Sequence, residues 1–146
     1  MSCLYEEDFY AWCLRQSKVL ELGLDNDLDW KNLKEEIESL GRKEKKELRS
    51  RLEILFIHLI KWKMQPDHRD RNSGSWLGSI RVQRMAIFHH LKDCPSLKSS
   101  IDEIAKEAYE EARNRVPLEA PIVEEDIPLE MPFSIEEALQ EGWLPV

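Results

Sequence analysis

Apolar residues recur at helical spacing along most of the chain, and the first such stretch lies near the N-terminus. Phe9, Trp12 and Val19 fall on one face of a helix predicted over about 5–22. Gly23 follows the stretch and is a plausible terminator, because glycine adopts the left-handed conformation common just after a helix.

A second and longer helix is predicted over about 30–65. Steps of three and four residues lead from Leu33 across Gly41 to Trp62, and Asp29 is placed to cap the N-terminus. The unbroken phase on both sides of Gly41 favours one continuous helix, although Gly41 is also a plausible terminator. At 1.5 Å per residue the helix would be about 54 Å long, and its uncovered end makes a homodimer a hypothesis.

Prolines mark the limits of the next two helices. Pro66 ends the second helix, and the polar stretch 67–75 is predicted to be a loop. The apolar pattern then predicts a third helix over about 76–93 and a fourth over about 97–116, which should stop before Pro117.

The remaining residues form an extended tail and one short helix. Four prolines between 117 and 132 oppose helix formation, and Ser134 with Glu137 has the form of a capping box. The predicted fold is all-α: an antiparallel four-helix bundle over 1–116, dominated by its second helix. The tail, 117–146, is expected to pack on the same domain and to end in the short helix.

Composition favours a globular protein without a membrane segment. A chain of 146 residues suits one domain with a substantial core. The three cysteines are scattered without the paired spacing of a zinc site or a disulfide framework, which indicates reduced thiols and a cytoplasmic location. The acidic N-terminus is unlike a signal peptide, and no apolar run is long enough to span a bilayer.

The net charge of −8 is unevenly distributed along the chain. Residues 1–41 carry 4 bases and 10 acids, residues 42–92 carry 13 bases and 5 acids, and residues 93–146 carry 4 bases and 14 acids. One interpretation is that oppositely charged faces of neighbouring elements screen one another. The alternative is an anion-binding site formed by the basic middle block.

No catalytic or cofactor motif is present. The chain has no Glu-x-x-His pair of a di-metal bundle, no His-x-x-x-His pair, no glycine-rich phosphate loop and no Gly-x-Ser-x-Gly elbow. We therefore predict no metal and no cofactor, with a metal site built from separated histidines as the less favoured alternative. The absence of these motifs favours a non-catalytic protein.

His58 is the most unusual residue of the central stretch because its neighbours in sequence are apolar. In an antiparallel hairpin of the second and third helices, His58 would lie level with Gln83 and Arg84. One interpretation is a hydrogen-bonded network that fixes the register of the two helices. The other is a pocket for an anionic ligand, with a small hydrolase using His58 as a less favoured extension.

A second candidate site is the basic end of the predicted hairpin, within residues 61–84. Its bases and aromatic rings suit phosphate contacts and base stacking. The ligand-binding candidates here are Trp62, Arg69, Arg71, Trp76 and Arg81, with Lys61, Lys63 and His68 beside them. The acidic isoelectric point and the acidic tail argue against nucleic acid as the ligand.

Several short motifs, in order, resemble the family called domain of unknown function 29. The motifs are Leu4-Tyr5, Asp8-Phe9-Tyr10-Ala11-Trp12, Asn32-Leu33, Glu35-Glu36-Ile37-Glu38-Ser39-Leu40-Gly41, Glu47-Leu48, Ser50-Arg51-Leu52, His58-Leu59, Lys61-Trp62, Gln65-Pro66, Ser75-Trp76, Cys94-Pro95-Ser96-Leu97 and Trp143-Leu144-Pro145. The resemblance covers nearly the whole chain and implies a small, all-helical bacterial protein. Cys94 stands where that family usually has serine. No activity is implied.

These observations together favour a protein-interaction or regulatory module that acts through helical surfaces. The expected partner is another protein, or a second copy of the chain bound through the second helix. Binding of nucleic acid or a phosphate ligand to the basic 61–84 region is the alternative.

Overall fold

The computed structural model describes residues 3–146, and every regular element in that range is helical. The α-helices are α1 (Leu4–Glu7), α2 (Phe9–Leu22), α3 (Trp30–Met64), α4 (Arg69–Asp93), α5 (Ile101–Glu119) and α6 (Ile135–Leu139). Short 3₁₀ turns lie between most of them. The predicted all-α class is confirmed. The chain divides into two compact units, one ending at Lys43 and the other spanning Glu44–Val146.

In the first unit, hydrogen bonds to Asp29 join α2 to the start of α3. The Trp12 indole donates to the Asp29 carboxylate at 3.0 Å, and the Asp29 amide donates to the buried Gln16 side chain at 2.8 Å. The same carboxylate accepts from the Asn32 side chain at 2.8 Å and from the Asn32 amide at 3.4 Å. Bonds from Asn32 and Trp12 lower the pKa of Asp29. Asp29 therefore caps α3, as predicted.

The first predicted helix is divided into two at Asp8. Asp8 leaves the helical conformation, with φ −149° and ψ 87°, and its carboxylate accepts from the Ala11 amide at 3.0 Å. Asp8 therefore caps α2 instead of lying inside one helix over 5–22. Gly23, with φ 69°, ends α2 in the left-handed conformation, as predicted.

The second predicted helix, α3, is continuous through Gly41. No atom lies within 4 Å of the position that a Cβ would occupy at Gly41. The helix thus continues through a residue with poor helix propensity, and no close packing requires glycine there.

The second unit contains the main hydrophobic core. α3 contributes Leu48, Leu52, Leu55, Phe56 and Leu59, all fully buried. Small residues of α5 complete this layer, namely Ala105, Ala108 and Ala112. Such small side chains let the backbones of packed helices approach each other closely.

α4 begins earlier than the sequence predicts. Residues 67–75 were expected to form a loop, but α4 starts at Arg69 directly after a 3₁₀ turn over Pro66–His68. The Arg69 Nε donates to the Trp62 carbonyl at 2.8 Å, and the Asn72 amide group donates to the His68 carbonyl at 3.0 Å. Polar side chains that suggested a loop therefore satisfy carbonyl groups at the junction of the two helices.

α5 also differs from its predicted limits. The helix starts at Ile101, after a 3₁₀ segment over Pro95–Ser100, and it continues past Pro117 to Glu119. Proline in the last turn removes only its own N–H donor, and the Ala120 amide still donates to the Val116 carbonyl at 2.9 Å. The prediction that α5 stops before Pro117 was wrong.

The tail after α5 is anchored to the core of the second unit. Ile122, Ile127 and Phe133 are buried in that core, and the Tyr109 hydroxyl donates to the Pro128 carbonyl at 2.6 Å. At the end of the tail, the Ser134 hydroxyl accepts from the amide of the third residue of α6, and the reciprocal bond is also present. The predicted capping box is confirmed. It fixes the start of the C-terminal segment, residues 134–146.

Candidate functional site

An open groove of about 710 Å³ lies between α4 and the C-terminal segment. We call it the α4 groove. Its α4 side is formed by Leu77, Ile80, Arg81, Arg84, Met85, Phe88 and His89, and its other side by Leu139, Glu141, Gly142 and Leu144. The groove lies wholly within the second unit and is mainly apolar, with a few charged groups.

The apolar character of the groove comes from one exposed face of α4. Leu77, Met85 and Phe88 are 37%, 56% and 65% exposed. Arg81, Met85 and Phe88 are spaced by four and three residues, so their side chains follow one another along the helix. Large apolar side chains clustered in this way are typical of a surface that binds a partner.

Arg84 joins the two sides of the groove. Its guanidinium donates to the Ala138 carbonyl at 2.8 Å and to the Trp143 carbonyl at 2.7 Å. Burial lowers the pKa of Arg84, but a guanidinium remains a cation at neutral pH. Arg84 therefore satisfies one carbonyl within α6 and one after it, and it also supplies positive charge to the groove.

His58, Gln83 and Arg84 have separate hydrogen-bond partners. His58 Nδ1 lies 2.8 Å from the Ile54 carbonyl of its own helix, and burial lowers the pKa of the imidazole. The Gln83 side chain accepts from Arg51 at 3.5 Å. Among residues 3–146, no hydrogen bond links His58 to Gln83 or Arg84, and the α4 groove contains Arg84 but not His58.

The aromatic residues of the basic 61–84 region are largely covered. The Arg69 guanidinium lies 4.8 Å from the centre of the Trp62 ring, and Trp76 is only 7% exposed. Lys61 lies 3.9 Å from the Glu119 carboxylate. Base stacking needs an open ring face, and the buried Trp76 ring does not offer such a face. Arg71 and Arg81 remain exposed.

A cluster of metal-binding residue types that is not predicted from the sequence lies at the other end of α4. Glu44 on α3, His90 on α4 and Cys94 just after α4 bring one ligand atom each within 4.8 Å of the others. We call these three residues the Glu44–His90–Cys94 cluster. Its detectable sequence signal is the four-residue spacing of His90 and Cys94, which places both on one side of a helix end.

The polar contacts of this cluster centre on the Glu44 carboxylate. One carboxylate oxygen, Oε2, lies 3.3 Å from His90 Nε2 and accepts from the Cys94 thiol at 3.6 Å. His90 Nε2 also lies 3.1 Å from the Glu44 main-chain carbonyl, and Nδ1 lies 3.7 Å from a Glu47 carboxylate oxygen. Burial and the nearby Glu44 carboxylate raise the pKa of the Cys94 thiol.

None of the helices within residues 3–146 is both long enough and apolar enough to cross a bilayer.

Comparison with known proteins identifies a family. The family model described as "Domain of unknown function DUF29" matches residues 4–144. No curated protein and no solved structure matches the chain.

Proposed function

The chain belongs to the DUF29 family, a domain of unknown function. We propose from the structure that it is a non-catalytic protein-interaction module. The observation that carries this proposal is the α4 groove, in which exposed apolar side chains adjoin charged groups. The occupant we propose is an amphipathic helix of a partner protein that carries acidic residues beside its apolar face.

The shape and lining of the groove support a helix as the occupant. Leu77 and Phe88 lie eleven positions apart on α4, a distance of about 17 Å at 1.5 Å per residue. That length matches about three turns of a partner helix. The exposed Met85 and Phe88 side chains would contact the apolar face of that helix, as in other complexes in which a helix binds a hydrophobic groove.

The charges of the groove support an acidic occupant. The groove lining contains two arginines, Arg81 and Arg84, and one acid, Glu141. Arg81 makes no hydrogen bond or ion pair with another residue of the described range 3–146, so its guanidinium is available to a carboxylate. An ion pair between Arg81 and an acid of the partner would increase specificity and the rate of association more than it would increase affinity.

A helical-peptide display library tests the proposal directly. Binding to the full-length protein should enrich peptides with apolar residues at helical spacing and at least one adjacent acid. Enriched peptides should bind at least tenfold more weakly to Phe88→Ser and to Arg81→Glu, because these changes remove an apolar contact and reverse a charge. Fluorescence anisotropy with a labelled enriched peptide measures the difference.

Val82→Glu is the matched control. Val82 lies on the same helix and is 58% exposed, but it does not line the groove. Peptides should bind this variant as they bind the unmodified protein. Failure to enrich helical peptides, or equal binding to Phe88→Ser, would refute the proposal. Salt-dependent binding of single-stranded DNA that is lost in Arg71→Glu would instead support the nucleic-acid alternative.

A second surface supports self-association through α3. Trp30, Ile37 and Leu40 are 63%, 67% and 61% exposed and lie on the first half of this helix. Spacings of seven and three residues place them along one stripe, which a second copy of the same helix could cover. Light scattering should then give a mass near twice 17.3 kDa.

Acidic substitutions on this stripe test self-association. Ile37→Glu with Leu40→Glu should shift the mass to that of one chain, because two acids would face the partner's apolar stripe. Leu118→Glu, on an α5 residue that is 85% exposed, is the control and should leave the mass unchanged. A single-chain mass for the unmodified protein at high concentration would refute self-association.

A further inference from the structure

We propose that the Glu44–His90–Cys94 cluster is a zinc-binding site, with the Glu44 carboxylate, His90 Nε2 and the Cys94 thiolate as ligands. The first support is chemical. Zinc in proteins is bound by imidazole nitrogen, thiolate sulfur and carboxylate oxygen, and this cluster supplies one of each. Calcium and magnesium prefer oxygen ligands, so the nitrogen and sulfur atoms favour zinc.

The distances between the ligand atoms are the second support. Tetrahedral zinc with ordinary bond lengths separates a nitrogen and an oxygen ligand by about 3.4 Å, and a sulfur and an oxygen ligand by about 3.6 Å. Here Glu44 Oε2 lies 3.3 Å from His90 Nε2 and 3.6 Å from the Cys94 sulfur. Two of the three separations between ligand atoms therefore match those around a bound zinc ion, and all three ligand atoms lie within 4.8 Å of one another.

The surroundings of His90 are the third support. A histidine that binds metal commonly donates its other ring N–H to a carboxylate, which fixes the orientation of the ring. Glu47 Oε2 lies 3.7 Å from Nδ1, the other ring nitrogen of His90. Zinc at Nε2 would replace the contact of that nitrogen with the Glu44 main-chain carbonyl. The ring proton would then lie at Nδ1, facing Glu47.

The exposure of the cluster fits an accessible metal site with an open position. The Glu44 side chain is 48% exposed, whereas that of His90 is 10% exposed. Zinc could therefore enter from the side of Glu44. Three protein ligands would leave the fourth position to water, which is the arrangement of zinc sites that bind or activate a small molecule.

Cobalt is the first probe for this site. The full-length protein, freed of metal with a chelator, is titrated with Co²⁺ while its absorption is recorded. Binding should give a near-ultraviolet thiolate-to-cobalt band that saturates at one ion per chain, and added Zn²⁺ should remove it. Cys94→Ser should abolish the band, because serine keeps a similar size but cannot supply the thiolate. Cys13→Ser is the control thiol and should leave the band intact.

The other ligands are tested with zinc by calorimetry. His90→Gln and Glu44→Gln should each weaken zinc binding, and Glu47→Gln should weaken it by less than about 10-fold, because the Glu47 carboxylate lies 3.7 Å from His90 Nδ1, beyond hydrogen-bond distance. His89→Asn is the control and should bind zinc as the unmodified protein does. Circular dichroism checks that each variant is folded.

Three results would overturn the proposal. One is the absence of a cobalt band in the unmodified protein. Another is a band that survives in Cys94→Ser or is lost in Cys13→Ser. The third is zinc affinity that is unchanged in folded His90→Gln. None of these outcomes bears on the α4 groove, so the two proposals stand or fall separately.

Discussion

Replacement of Arg84 by methionine tests how the C-terminal segment is held against α4. Methionine keeps an unbranched apolar stem but lacks the guanidinium, so the change removes the donors to Ala138 and Trp143 and keeps much of the packing. Both carbonyls then lose a charged donor. We expect the C-terminal segment to open more readily while the main core remains folded.

The size of this effect follows from the two hydrogen bonds. A hydrogen bond to a charged group contributes about 1.5–3 kcal/mol. Because Arg84 is only half-buried, we discount each bond to about 1–2 kcal/mol and expect the free energy of local opening to fall by about 2–4 kcal/mol for the two together. With about 1.4 kcal/mol per tenfold change, amide hydrogen exchange in the segment should be about 30- to 700-fold faster.

Hydrogen exchange followed by mass spectrometry measures this opening. Peptides covering residues 134–146 should exchange faster in Arg84→Met, whereas peptides from the fully buried part of α3 should be unchanged. Arg81→Met is the control, because Arg81 makes no hydrogen bond within the described residues. Equal exchange of the segment in Arg84→Met and in the unmodified protein would refute the inference that Arg84 holds it.

Three further substitutions test single features of the fold. Ser134→Ala should lower the free energy of unfolding by about 1 kcal/mol in urea titration, and no change would mean that the capping box contributes little. Burial lowers the pKa of His58 below 6.5, so the unfolded chain takes up the proton first and stability is lost as pH falls below about 6.5. His58→Asn should reduce this loss between about pH 8 and about pH 5, and identical pH dependence in both proteins would contradict the assignment. Gly41→Ala should stabilise α3 by about 0.8–1 kcal/mol in thermal unfolding, because a Cβ meets no atom within 4 Å; a loss of stability would indicate strain at that position.

Apolar periodicity and capping residues predict a helix correctly where packing and local hydrogen bonding favour the same helix limits. The continuous phase across Gly41 indicated one helix, and α3 is continuous there. The caps at Asp29 and Ser134 were also recognisable, because each bond involves residues three positions apart. Local signals of this kind are fully contained in a short sequence window.

Helix limits were mispredicted at two helix ends, where residue types alone do not show how the backbone is satisfied. The polar residues before Trp76 predict a loop, yet α4 begins at Arg69. The Arg69 side chain donates to the Trp62 carbonyl, seven positions earlier. Pro117 predicts the end of the fourth helix, yet α5 continues to Glu119 because its last turn tolerates the loss of one backbone N–H donor. Composition alone does not reveal how such groups are satisfied.

The candidate sites depend on distant pairs and were therefore harder to predict. The sequence analysis places Arg84 level with His58 as a ligand-binding candidate, but its partners lie 54 and 59 positions later in the chain. Periodicity locates such a residue without identifying its partners. The exposed face of α4 was also missed, because Met85 and Phe88 look like core residues in any hydrophobic pattern.

The Glu44–His90–Cys94 cluster gives the clearest physical reason for this limit. Glu44 lies 46 positions before His90, so only the packing of α3 against α4 brings the carboxylate to the imidazole. At the end of α4, the four-residue spacing of His90 and Cys94 is visible in the sequence but supplies only two ligands. Two ligands at helical spacing do not predict a metal site, whereas a third ligand at 3.3 Å from one and 3.6 Å from the other does. The same packing that buries the leucines of α3 therefore determines whether this chain can bind zinc.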